Sequence, residues 1–176
     1  MKYLTLIRHT KPAIPLGVCY GQLDVDLDES FVAEAKDISR CISAPELIIT
    51  SPLLRSRRLA EYLAIEHGCE LRARVELKEM NFGNWEGQFW NDITRDEIDA
   101  WNADVLNYIP PNGESALQMQ QRVITLMQEL AEYKQQHIVI VAHGGSIRAA
   151  LAHLGNIPLS ATLNWQIDFG SVITAR

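Results

Sequence analysis

Three short apolar runs, separated by amphipathic helical patterns, constrain the fold of this chain more than any other feature of its sequence. The runs at 3–7, 47–50 and 138–142 have the length and the Leu, Ile and Val content of buried strands. Helical spacing of apolar residues occupies 31–42, 54–65, 115–130 and 146–154. Strands that alternate with helices predict an α/β domain of three layers, α/β/α, with a mostly parallel central sheet.

The rest of the chain adds weaker elements to this plan. Residues 70–79 alternate between apolar and basic positions, which predicts a further strand, and 171–174 are also strand-like. Residues 80–114 are irregular apart from a short helix near 93–101, and Ser115 is placed to cap the next helix. We expect one domain over 1–176. The stop soon after a strand-like segment leaves open whether the natural chain continues beyond Arg176.

Composition and charge exclude several classes of protein. The 176 residues carry a net charge of -6, which argues against a nucleic-acid partner because such proteins present a basic face. No apolar run approaches the roughly 20 residues of a membrane span. Three cysteines, without metal-type spacing, favour a reduced, cytoplasmic protein. The sequence leaves open whether the chain forms a homodimer.

Charged and imidazole side chains follow each of the three apolar runs. Arg8 and His9 follow the first, Arg55 lies shortly after the second, and His143 follows the third. The carboxyl ends of parallel strands share one edge of an open α/β sheet, where ligands bind. We therefore expect these four residues to form one positive pocket. Each of them alone could equally be an ordinary loop residue, so the hypothesis depends on the joint pattern.

Such a pocket suits a phosphoryl group. The three oxygens of that group share negative charge, which the forked donors of Arg8 and Arg55 match in geometry. Gly144 and Gly145, before the predicted helix at 146–154, would bring backbone N–H donors close to the anion. The expected ligand is a small phosphomonoester, which responds to the local charge of a cleft rather than to net charge.

Glu79 is a separate candidate, because it falls on the apolar phase of the alternation at 71, 73, 75 and 77. A buried carboxyl group is costly unless it has a task, and burial favours the protonated form that a general acid needs. The alternative is that the strand ends at Leu77 and that Glu79 turns to solvent. The sequence leaves both readings open.

Four blocks of sequence occur in the order found in the histidine phosphatase superfamily, which has the phosphoglycerate-mutase-like fold. The chain resembles that superfamily over essentially its whole length. Residues 17–25, which include Tyr20 and Gly21, resemble more narrowly its α-ribazole phosphatase branch, which belongs to cobalamin biosynthesis. The four blocks are Arg8-His9, Ser51-Pro52-Leu53-Leu54-Arg55, residues 77–87 and His143-Gly144-Gly145.

The resemblance implies a role for each residue of the expected pocket. His9 would attack phosphorus and carry the phosphoryl group, while Arg8, Arg55 and His143 would hold its oxygens. Glu79 would protonate the leaving oxygen and later activate water. It implies hydrolysis of α-ribazole 5′-phosphate with no metal or other cofactor, since the cationic residues supply the charge.

Two departures from the superfamily's pattern affect the expected pocket. Thr10 stands where Gly is usual, and its hydroxyl becomes a candidate phosphate donor. The Asn that many members carry several residues after the first His is absent from this chain, and Lys11 is a candidate replacement for it. We also expect the substrate's base to lie towards Trp85, Phe89 or Trp90, although such aromatic side chains often fill a core instead.

Other functions remain as alternatives. A phosphoglycerate mutase or a sugar-bisphosphate phosphatase of the same superfamily would need a second basic cluster. Residues 79–121 contain only Arg95 against eight acidic residues, which disfavours that reading. A non-catalytic phospho-ligand binding module is an alternative of another class. It would be expected to have lost at least one of His9, Glu79 and His143. A metallophosphatase would need a carboxylate- or His-rich cluster, which the spacing lacks.

Overall fold

A five-stranded sheet forms the centre of the computed structural model, which describes residues 3–175. The strand order is β3-β2-β4-β1-β5. The pairs β1–β4, β2–β4 and β2–β3 are parallel, and β5 runs antiparallel to β1 at one edge. The mostly parallel sheet predicted from the sequence is confirmed. The strands are β1 Tyr3–Arg8, β2 Leu47–Thr50, β3 Glu70–Ala73, β4 His137–Ala142 and β5 Val172–Ala175.

Five α-helices connect and cover these strands. Short 3₁₀ segments lie in the loops between these elements, at Val75–Leu77, Gly83–Trp85 and Leu159–Thr162. None of the helices described over 3–175 is long and apolar enough to cross a bilayer. The helices are α1 Phe31–Cys41, α2 Leu54–His67, α3 Arg95–Ala103, α4 Ala116–Ala131 and α5 Gly144–Leu154.

Alternation along the central strands divides the core into two halves. Ile7, Ile48 and Val139 pack on one face with apolar side chains of α1 and α2. Leu6 and Ile140 pack on the other face with side chains of α4 and α5. Strands buried on both faces need continuous apolar runs, which explains the three runs in the sequence. The three-layer α/β/α architecture is confirmed.

The strand predicted over 70–79 is too long. β3 ends at Ala73, which pairs with Thr50 at the end of β2, and the chain then forms a 3₁₀ segment. Over residues 3–175, β2 is the only strand that pairs with β3, so nothing extends the ladder once β2 has ended. The alternation therefore fails, and Val75 is 64% exposed whereas Leu77 is buried. Glu79 is not on a strand at all.

Helix starts were predicted with mixed success. Ser115 caps α4 as predicted, in a capping box where its Oγ accepts from the N–H of Gln118 and its own N–H donates to that side chain. α3 begins two residues later than predicted, and α5 begins two residues earlier, at Gly144. Pro52 precedes α2 without entering it, because Leu53 is the N-cap.

Candidate active site

The carboxyl ends of β1, β2 and β4 meet where the sequence predicted a pocket. Arg8 ends β1 and His9 follows it, Arg55 lies in the first turn of α2, and His143 directly precedes α5. The rings of His9 and His143 lie 5.2 Å apart, and Arg55 Nε lies 3.3 Å from His9 Nε2. The parallel register of the three strands thus brings together side chains that are more than 130 residues apart in sequence.

His9 is buried with its two ring nitrogens in different environments. Nδ1 lies 2.7 Å from the carbonyl oxygen of Thr10, which can only accept a hydrogen bond. Nδ1 therefore carries the proton, and the Nε2 lone pair accepts a hydrogen bond from Arg55 Nε. Burial lowers the pKa of His9 well below 6.5, and the charges of Arg55 and Arg8 lower it further, against the opposing hydrogen bond to Thr10. His9 is a neutral imidazole at neutral pH.

Arg55 is a fully buried cation whose side-chain hydrogen bonds go to neutral groups. Its Nη1 donates to the carbonyl of Leu23 at 2.9 Å and its Nη2 to that of Gly21 at 2.6 Å, and its guanidinium lies 5.0 Å from the centre of the Tyr20 ring. Within residues 3–175 it forms no ion pair. An unpaired buried charge is costly, and an anionic ligand beside His9 would offset that cost.

Arg8 lies on the open side of His9. Its Nη1 donates to the carbonyl of Ile167 at 2.6 Å, and its guanidinium lies 3.9 Å from the centre of the Phe169 ring. Its buried Nε has no hydrogen-bond partner among the residues described. Gly144 lies alongside, since a Cβ built on it would be 3.8 Å from Arg8 Cζ. Arg8 and the start of α5 thus form one wall of the site.

His143 is completely buried against two hydroxyl groups. Its Nε2 lies 2.8 Å from Ser51 Oγ and 3.3 Å from Ser56 Oγ, whereas its Nδ1 has no partner within the described part of the chain. Burial lowers the pKa of His143 well below 6.5, and the charges of Arg55, His9 and Arg8 add to that effect. The second imidazole is therefore also neutral at neutral pH.

Glu79 reaches the site from a turn and meets the N-terminus of α5. Its Oε1 accepts from the N–H of Met80 and its Oε2 from the N–H of Gly145, both at 2.9 Å. A Cβ on Gly145 would clash with the carboxylate, so only glycine permits this approach. Glu79 therefore lies beside the cationic residues, although the strand alternation that singled it out does not exist.

Two adjoining cavities share Glu79 and Phe82 on their walls. The smaller, of about 160 Å³, is lined by Arg8, His9, Tyr20 and Gly21 together with Trp90 and others. The larger, of about 440 Å³, is mainly apolar and continues from the far side of Glu79. Further residues that line the larger cavity include Met80, Trp101, Val105, Ala116, Met119, Arg148, Leu159, Leu163 and Asn164.

Three predicted binding residues do not lie where the sequence placed them. Trp85 is 1% exposed and stacks on Tyr108 inside an aromatic cluster, so it cannot contact a ligand. Phe89 is largely exposed and lines neither of the two cavities. Lys11 pairs with Asp28 at 3.1 Å on the surface and does not replace the missing Asn.

Thr10 remains a candidate, since its Oγ1 is buried beside His9 without a partner among the residues described. Its side chain is fully buried and it is absent from the lining of the smaller cavity. A role as a phosphate donor therefore stays a prediction for this residue.

Sequence reasoning missed Arg148, which faces the larger cavity from α5. Its Nε and Nη2 donate to the carbonyl of Trp165 at 3.2 and 2.8 Å, and burial lowers its pKa. Arg148 stands four residues after Gly144, which places both on one helix face. That spacing could have placed Arg148 at the site from the sequence alone. The count of basic residues covered only 79–121 and so left out α5.

No group of three or more His, Cys, Asp or Glu side chains over residues 3–175 is placed to hold a metal ion. The three cysteines are unpaired: Cys19 is buried, Cys69 is intermediate and Cys41 is exposed. Burial raises the pKa of Cys19, beside the site, to about 12. A thiol in that state is a poor nucleophile, which leaves His9 as the nucleophilic side chain of the smaller cavity.

The fold and the site define an α/β protein with two arginines and two neutral histidines at the carboxyl edge of its sheet. Residues 4–176 match the model of the histidine phosphatase superfamily (branch 1). The chain belongs to that superfamily and is a hydrolytic phosphatase.

Named relatives act on different phosphate esters. The adenosylcobalamin/alpha-ribazole phosphatase of Escherichia coli (strain K12) is 27% identical, over 95% of this chain and 86% of that protein. The glucosyl-3-phosphoglycerate phosphatase of Mycolicibacterium vanbaalenii is 30% identical, over 95% of this chain and 79% of that protein. The crystal structure of the alpha-ribazole phosphatase from Shigella flexneri superposes with a TM-score of 0.90 and 27% identity, over 98% of this chain and 89% of that one.

Proposed function

We propose that this phosphatase hydrolyses α-ribazole 5′-phosphate to α-ribazole and phosphate through a phosphohistidine on His9. The observation that carries the chemical part is the environment of His9. A neutral imidazole, oriented by Thr10 and with its Nε2 towards Arg55, is a nucleophile beside the proposed anion site.

In the first step His9 Nε2 attacks phosphorus, an N–P bond forms and the ester P–O bond breaks. Glu79 gives its proton to the leaving oxygen, which departs as the alcohol. In the second step water attacks the phosphohistidine, Glu79 takes a proton from the water, and the N–P bond breaks to release phosphate and free His9. Each proton that Glu79 gives in one step it regains in the other.

Arg55, Arg8 and the neutral His143 would hold the phosphoryl oxygens throughout both steps. Arg55 and Arg8 have N–H groups that the protein leaves without carboxylate partners, and His143 has an unpartnered Nδ1. Fixed donors aimed at a developing charge are worth more in a buried site than in water. The backbone N–H groups at the start of α5, beginning with Gly144, add further positive potential.

The larger cavity supports the choice of substrate. A phosphoryl group beside His9 would direct its leaving oxygen past Glu79 into this mainly apolar space. α-Ribazole has a flat, largely apolar base, and aromatic contact with such a base is worth roughly 1–3 kcal/mol. Trp101 lines the cavity, and its buried Nε1 has no partner over residues 3–175, so it could donate to a ring nitrogen. Two similar proteins carry the α-ribazole name.

Arg148 favours a second candidate, a phosphomonoester whose leaving group bears a carboxylate. The guanidinium lines the larger cavity without an ion-pair partner among the described residues. A glycerate carboxylate would suit it, and one relative is a glucosyl-3-phosphoglycerate phosphatase. Two of the Arg148 donors are already committed to Trp165, and most of the remaining lining is apolar, so we rank this candidate second.

The substrate proposal is tested by comparing kcat/KM for α-ribazole 5′-phosphate and 3-phosphoglycerate. We expect a ratio of at least about 100, on the order of 3 kcal/mol of differential transition-state binding. Leu163→Ala, which shortens a side chain in the wall of the larger cavity, should lower this ratio and leave p-nitrophenyl phosphate hydrolysis nearly unchanged. Leu117→Ala is a matched control, because Leu117 and Leu163 are both 38% exposed and Leu117 lines neither of the two cavities.

A preference for 3-phosphoglycerate would overturn the substrate assignment and favour the carboxylate-bearing class. It would leave the phosphohistidine chemistry intact. Absence of hydrolysis with every phosphomonoester, together with retained phosphate binding, would indicate a non-catalytic binding module instead.

A further inference from the structure

Arg122 on α4 donates all its N–H groups to the chain segment that carries Glu79 and to one carboxylate beside it. Nη1 donates to the carbonyls of Glu76 at 2.6 Å and Lys78 at 2.7 Å. Nη2 donates to the carbonyl of Glu79 at 2.9 Å and to Glu114 Oε1 at 2.7 Å, and Nε donates to Glu114 Oε2 at 3.2 Å. An arginine has five such donors, so none of them is left over.

Glu114 continues this arrangement past Glu79. Its Oε1 also accepts from the N–H of Asn81 at 2.9 Å, so the backbone is held on both sides of Glu79. Gln22 Nε2 adds a further hydrogen bond to the Glu79 carbonyl at 3.0 Å. The Arg122 and Glu114 side chains are only 22% and 18% exposed, so salt and solvent screen this ion pair less than one on the open surface.

The segment that Arg122 holds has no other regular support. β3 ends at Ala73, and the 3₁₀ segment ends at Leu77, so neither a ladder nor a helix fixes residues 78–81. Arg74, which contacts the same region, pairs instead with the half-buried carboxylate of Glu76 and the exposed one of Glu129, and its side chain donates to no carbonyl of residues 78–81. Arg122 thus fixes the backbone from which the Glu79 side chain projects.

We propose that Arg122 is a positioning residue for Glu79, which sets the placement of the Glu79 carboxyl group at the leaving oxygen. This inference rests on the proposed function, because it assumes that Glu79 protonates the leaving group. Arg122 and Glu114 neutralise one another, so the pair acts through geometry rather than through net charge in the site. A displacement of about 1 Å in a reacting group is enough to slow an enzyme markedly.

The test compares two phosphomonoesters that differ in how much the leaving oxygen needs a proton. For Arg122→Met we expect kcat/KM for an alkyl phosphate, which reports transfer of the phosphoryl group to His9, to fall about tenfold or more, while kcat/KM for p-nitrophenyl phosphate changes less than about threefold. Arg122→Lys can replace part of the hydrogen bonding. Its ratio of alkyl phosphate to p-nitrophenyl phosphate hydrolysis should therefore lie between those of Arg122→Met and the unaltered protein. Arg74→Met is the matched control and should leave the ratio of the two substrates unchanged. Equal losses on both substrates would overturn the positioning role.

Two further variants keep the result interpretable. If Arg122→Met does not fold, Arg122→Lys and Glu114→Gln carry the same comparison, and an unchanged ratio in both would contradict the proposal. In the Glu79→Gln background, Arg122→Met should change the ratio no further. If Glu79→Gln alone leaves the ratio unchanged, the acid role in the proposed function fails. If Glu79→Gln changes the ratio and Arg122→Met does not, only the positioning role fails.

Discussion

At the scale of single residues, His9 and His143 combine complete burial with the neutral state. Burial is the largest cause of the lowered pKa of each imidazole, and the charge of Arg55 is the next. The same arginine that would bind a phosphoryl oxygen therefore also helps to keep the His9 imidazole unprotonated. In the proposed mechanism a single guanidinium would thus serve both anion binding and the nucleophilicity of His9.

These two pKa values have a consequence for stability. Because the unfolded histidines titrate near pH 6.5 and the folded ones well below it, the unfolded chain binds more protons as the pH falls through 6.5. The free energy of unfolding should then decrease towards pH 5, with a slope approaching about 1.4 kcal/mol per pH unit for each buried imidazole. Urea titrations at several pH values measure this slope.

His143→Gln should remove about half of that slope, since it removes one of the two groups. His67→Gln is a control, because His67 lies at the less buried end of α2. An unchanged slope in His143→Gln would contradict the neutral, buried state assigned to His143.

At the scale of elements, the N-terminus of α5 joins the site to Glu79. Gly145 is the second residue of that helix, and its N–H donates to the carboxylate while its missing side chain leaves room for it. Gly145→Ala should displace Glu79 and lower kcat for an alkyl phosphate by about tenfold or more. The free energy of unfolding should not fall in parallel, because Ala favours a helix over Gly by about 1 kcal/mol.

Gly155→Ala, at the other end of α5, is the control for this substitution. Its backbone φ is -80°, which any residue can adopt, and it is remote from the site. If Gly145→Ala retained full activity towards alkyl phosphates, the contact between Glu79 and α5 would have no part in catalysis.

The elements that could be predicted are those whose pattern is local. The buried runs of β1, β2 and β4, and the Ser115 cap of α4, follow from neighbouring residues alone. The end of β3 could not be predicted, because it depends on where the paired strand β2 stops. The burial of Trp85 and the arrival of Arg148 at the larger cavity also depend on tertiary packing, which a charge or aromatic count over one segment does not contain.

At the scale of the whole molecule, the parallel sheet is what makes the site. Three strands from separate parts of the chain end at one edge, and the residues that follow them converge there. The chain carries a net charge of -6, yet the pocket holds Arg8 and Arg55, which have no ion-pair partner within residues 3–175. This positive charge is therefore a local property, because the fold brings dispersed residues together.

The central claim is that His9 carries the phosphoryl group, and trapping the intermediate tests it most directly. Brief mixing with ³²P-labelled p-nitrophenyl phosphate, followed by quenching in alkali, should leave a base-stable and acid-labile label on the peptide that contains His9. His9→Ala should lose both the label and turnover, whereas His67→Ala should keep both. Label that persists in His9→Ala, or that maps to another residue of the active protein, would contradict the assignment of His9 as the nucleophile.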